Sequence, residues 1–237
     1  MALPLKMTSI PKDLNKKLAE LAMVGDLAGT SLLLSQGADP RAANSAALRW
    51  AAGNGHSKCV KLLIPVSDPQ ADGSYALSAA ATRGHAECVQ LLIPVSDPMA
   101  NNSDALFWAT VNGHAKCVEL LIPVSQPKAE NSRALRLAAA KGRAECFQLL
   151  IPDSAPLIQM KGLVSDMVGA GHAKILSIML AHEPRLLDCL DLPASLDVAV
   201  AKGRSEVESL LRSIIEQRDL GGLIPTSGQA TGNPFRL

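Results

Sequence analysis

The chain has 237 residues, of which 48% are apolar but only 3% aromatic, so its core must be built from Ala, Leu, Val and Ile. A formal net charge of +1 excludes a global attraction to nucleic acid or to an anionic membrane surface. The chain has no run of 18 apolar residues to supply a spanning helix, and its five cysteines do not read as a disulfide framework.

Residues 1–12 form a lead-in without the unbroken apolar stretch of a signal peptide, so a reducing, cytoplasmic setting is expected. From residue 13 the chain is periodic. Gly55, Gly84, Gly113, Gly142 and Gly171 lie 29 residues apart, as do Pro40, Pro69, Pro98, Pro127 and Pro156. Cys59, Cys88, Cys117 and Cys146 keep the same interval, and outlying turn glycines stand at Gly25 and Gly203. The spacing predicts about seven helix–turn–helix units over residues 13–220, an all-α solenoid.

Each unit reads in the same order. Ser45, Ser74, Ser103 and Ser132 are expected to cap the first helix by accepting its free amides. The preceding Asn44, Gly73, Asn102 and Asn131 are residue types that tolerate left-handed backbone. Leu48, Ala51 and Ala52 then fall on one helical face, and Gly55 ends that helix. Cys59, Val60 and Leu63 form the buried stripe of the second helix, which Pro65 stops. Residues 66–71 are expected to be an extended linker. Residues 196–218 carry eight charged side chains of both signs, among them Lys202, Glu206 and Arg212, the polar dressing of a capping unit. Residues 221–237 lack periodicity and read as a flexible tail.

The segment Ala76-Leu77, Ala80-Ala81, Gly84-His85, Cys88-Val89 and Leu91-Leu92-Ile93 resembles the ankyrin repeat frame, and residues 32–40, Leu-Leu-Leu-Ser-Gln-Gly-Ala-Asp-Pro, resemble it more closely still. The resemblance covers roughly nine-tenths of the chain. It implies an ankyrin-like solenoid whose first helices line the concave side. The units run 29 residues instead of the usual 33. The missing residues fall where the family carries its β-hairpin tip, and Ser-x-Ala-Leu replaces the Thr-Pro-Leu-His opening. Blunt or absent hairpin fingers are therefore expected, with binding left to the helix surface.

Candidate chemistry reduces to structure. Cysteines one repeat apart, at a helix spacing of roughly 8–10 Å, cannot share a zinc ion that needs sulfur at about 2.3 Å. They read as small buried hydrophobes. His56, His85, His114 and His172 follow turn glycines, with Arg143 in the same place of one unit, and a hydrogen bond within the turn is expected. Asp39, Asp68 and Asp97 precede proline and read as turn residues. Neither a catalytic group nor a cofactor or metal is implied.

Function is sought instead where repeats differ. Ala46, Tyr75, Asp104 and Arg133 share one first-helix position; Arg49, Ser78, Phe107 and Arg136 share another; Trp50, Ala79, Trp108 and Leu137 a third. Arg83 belongs to a fourth row at the helix ends. Aromatics and Arg dominate binding hot spots. The expected partner-binding set is Arg49, Trp50, Tyr75, Arg83, Asp104, Phe107, Trp108, Arg133 and Arg136, with Trp50 and Trp108 either facing a partner or packed between first helices. The expected role is a monomeric protein-interaction scaffold that is not an enzyme, with no nucleic acid or membrane partner. The alternative is an ankyrin-type regulatory subunit, or a microbial effector secreted into a host cell to target one of its proteins.

Overall fold

The computed structural model describes residues 12–127, 129–154 and 162–222. The lead-in before residue 12, the side chain of Asn131, Ala155, Pro156 and the tail from residue 223 lie outside what is described. The chain divides into two compact units, residues 1–134 and 135–237.

Among the described residues the helices come in pairs. They are α1 (Lys12–Val24) with α2 (Leu27–Ser35), α3 (Ala42–Gly53) with α4 (Ser57–Leu63), α5 (Ala71–Thr82) with α6 (Ala86–Leu92), and α7 (Ala100–Asn112) with α8 (Ala115–Leu121). After these come α9 (Ala129–Ala140) and α10 (Ala144–Leu150), α11 (Gly162–Ala170) and α12 (Ala173–His182), and α13 (Leu192–Ala201) and α14 (Ser205–Gly222). The described residues contain no β-strand, so hairpin fingers are absent from them. In the first unit α1, α3, α5 and α7 stack in order, and α2, α4, α6 and α8 stack behind them. In the second, α11 packs on α13, while α10, α12 and α14 follow one another.

The burial pattern explains the stacking. Leu48, Leu77 and Leu106 on the first helices are buried, as are Val60 with Leu63, Val89 with Leu92, and Val118 with Leu121 on the second. Burying each such side chain contributes about 1.5–3 kcal/mol. Cys59, Cys88, Cys117 and Cys146 share this core. Lys202, Arg204, Glu206 and Arg212 of the last helix pair are exposed. Among the described residues no helix is long and apolar enough to cross a membrane.

The turn glycines Gly55 and Gly84 serve two purposes. Gly25, Gly55, Gly84 and Gly113 have φ between 77° and 82°, which a side chain strains. At Gly84 the amide bonds the Ala81 carbonyl while the amide of His85 bonds that of Ala80, the Schellman pattern of a helix C-terminus. The next unit also leans on the same spot: a Cβ at Gly55 would lie 2.5 Å from Nδ1 of His85, and one at Gly84 2.5 Å from Nδ1 of His114.

The histidines correct an expectation. Their bonds run between repeats, not within a turn. His56 Nε2 lies 2.9 Å from the Met23 carbonyl, His114 Nε2 3.0 Å from that of Thr82, and His172 Nε2 3.3 Å from that of Ala140. Each ring thus satisfies a carbonyl left open at the end of the preceding first helix.

The serines correct another. Ser45, Ser74 and Ser103 are themselves left-handed, with φ of 55°, 59° and 63°, and each ends a run of three positive-φ residues such as Ala43-Asn44-Ser45. They do not cap their own helix. The Oγ of Ser45 accepts from the amide of Asp68 at 2.9 Å, that of Ser74 from Asp97 at 2.8 Å, and that of Ser103 from Gln126 at 2.9 Å. Asn15 Oδ1 does the same for Asp39 at 2.7 Å. Each left-handed non-glycine residue costs roughly 1–2 kcal/mol, so the turn persists because it places a buried hydroxyl under the next unit. The linkers are correspondingly compact turns, not extended strands. Asp39, Asp68 and Asp97 accept from the amides two residues on at 2.9–3.0 Å, as turn chemistry requires.

Candidate partner-binding face

The variable rows of α3, α5 and α7 carry exposed aromatic side chains. Trp50, Tyr75 and Trp108 are 45%, 51% and 41% exposed, so neither tryptophan is core. An arginine lies against the Tyr75 ring. Arg49 lies over the Tyr75 ring at 5.4 Å, bonds Asp72 Oδ2 at 3.2 Å and donates to the Ala43 carbonyl at 3.0 Å. Its Nε is buried without a partner.

One repeat further on, a second cluster forms. Phe107 meets Trp108 edge-on with centroids 5.1 Å apart, and the Arg133 guanidinium sits 4.1 Å above the Phe107 ring. Asp104 is half-buried, which pushes its carboxyl above the usual range. Hydrogen bonds from Trp108 and Ser78 and the nearby Arg133 charge oppose that shift. Trp108 stands one turn from Asp104 on the same helix. A small pocket of about 30 Å³ lies beside Asp104, Phe107 and Arg133.

Arg83 stands at the end of α5 and donates to the Gly53 carbonyl and to Asn54 Oδ1, both at 2.9 Å. Arg136 is exposed but belongs to the second compact unit, whereas the other eight expected residues belong to the first. Asp72, Ser78 and Asn54 were not in the expected set, yet they fix Arg49, Asp104 and Arg83. Ser78 was visible as a member of a variable row. Asp72 and Asn54 could not be paired with a partner 23 or 29 residues away without knowing how the repeats stack.

Burial raises the thiol of Cys59, that of Cys88 to about 11, and that of Cys146, the reverse of activation. Among the described residues no three His, Cys, Asp or Glu side chains converge as a metal site.

Among curated proteins none matches the chain significantly. The family model described as ankyrin repeats, in three copies, matches residues 18–102 and 95–160, well over half of the sequence. Its span covers the Gly-His turns and paired helices from α2 to α10 in which the geometry above is built, and the chain belongs to the ankyrin repeat family.

Proposed function

We propose that the first-helix face of the first unit is the surface on which this chain holds another protein. Ankyrin repeats in general form protein–protein interaction domains and are generally non-catalytic scaffolds. The observation that carries the reading is the exposure of three aromatic rings, Trp50, Tyr75 and Trp108, on the successive first helices α3, α5 and α7. Exposed aromatics flanked by Arg are the composition of binding hot spots. The Trp108 ring is held by Phe107 and Asp104, and Tyr75 by Arg49, so little side-chain entropy opposes binding.

The test is affinity capture with the wild-type chain and with Tyr75→Ala/Trp108→Ala. Both side chains are exposed, so the variant should keep its far-ultraviolet circular dichroism. Each truncated hot spot weakens binding by about 2 kcal/mol, roughly thirtyfold. A folded double variant that captures the same partner with unchanged affinity refutes the assignment.

A further inference from the structure

The two tryptophans share their helix position with Ala79, which lies one repeat after Trp50 and one before Trp108. Ala79 is half-buried, and a Cβ at Gly53 would be only 3.4 Å from its methyl. The row is therefore low in the middle and high at both ends. At two helix spacings, about 16–20 Å, the flanking indoles leave room for one partner segment about 10–12 Å across.

The polar groups around this depression are not balanced. Asp72 is paired with Arg49 at 3.2 Å, and Asp104 is half-buried. Its open groups are donors. Among the described residues the Trp50 indole N–H and the Tyr75 hydroxyl have no hydrogen bond, and Arg83 donates to the neutral acceptors Gly53 and Asn54 without pairing to a carboxylate.

We propose that the depression over Ala79 takes an acidic peptide segment of a partner, an apolar side chain lying between Trp50 and Trp108 and a carboxylate meeting Arg83. This rests on the first-helix face being the docking surface.

The test uses a random peptide library displayed on phage and selected against the full chain. The wild type is expected to enrich peptides with Asp or Glu beside Leu, Phe or Trp. Arg83→Glu should weaken those peptides by about tenfold or more and shift its own selection to Lys and Arg. Ala79→Leu, which raises the floor, should weaken them to a similar extent. If Trp50→Ala/Trp108→Ala selects the same peptides as the wild type, the docking face itself is wrong. If that variant loses them but Arg83→Glu leaves the selected charge unchanged, the face stands and the acidic occupant is overturned. A library that enriches no motif overturns the proposal as well, and so does a concentration-dependent dimer abolished by Trp50→Ala/Trp108→Ala.

Discussion

Replacing Gly84 with alanine puts a methyl 2.5 Å from Nδ1 of His114 at a residue whose φ is 79°. Two separate costs follow. Holding an alanine in left-handed backbone costs about 1–2 kcal/mol. The imidazole must also move, giving up its 3.0 Å contact with the Thr82 carbonyl, a bond worth about 0.5–1.5 kcal/mol. The single variant should therefore lose about 2–3 kcal/mol, or roughly 4–12 °C of melting temperature for a chain of this size. His114→Ala alone should cost about 1 kcal/mol. In that background the ring is already gone, so Gly84→Ala should cost only the backbone share, about 1–2 kcal/mol. Urea denaturation of the four chains, followed at 222 nm, gives the coupling directly. Equal costs for Gly84→Ala with and without His114 would refute the idea that the glycine column exists partly to seat the next unit's histidine.

Ser74→Ala removes the acceptor of the buried Asp97 amide bond at 2.8 Å and should destabilise the chain by about 1–3 kcal/mol, whereas Ser35→Ala, at an exposed site, should stay within about 0.5 kcal/mol in the same denaturation series. Native protein treated with iodoacetamide at pH 8 should take up one label, at the exposed Cys189, and five after unfolding, as read by intact mass. Burial and the charges of Arg83, His56 and His114 lower the pKa of His85 in the folded chain. The unfolded chain therefore binds more protons in that window: the stability is present above the ordinary histidine pKa and lost as pH falls through the folded value. The urea midpoint should accordingly drop between pH 7.5 and 5, and His85→Asn should flatten that drop.

The repeat interval made the helix pairs, the buried cysteine column and the turn glycines legible before any coordinates, because each depends on residues within one unit. What crosses from one unit to the next was not legible. Ser45 looked like a helix cap because serine favours that place; only the stacked neighbour reveals that its hydroxyl serves Asp68. His56 looked like a turn residue for the same reason, although its partner Met23 lies 33 residues earlier. The variable rows did locate Trp50, Tyr75 and Trp108, since a position that changes between repeats is not dictated by packing. Whether those rings were exposed could not be read from the rows. An indole fits a gap between helices as well as a surface, and the outcome depends on neighbours such as Ala79 and Phe107.

Hydrogen exchange on the chain with its captured partner tests the central claim most directly. The account predicts slowed amide exchange on binding in α3, α5 and α7, centred on residues 50, 79 and 108, with α4, α6 and α8 unchanged. Protection confined to the second helices, or to the 39–41 and 68–70 linkers, would contradict it.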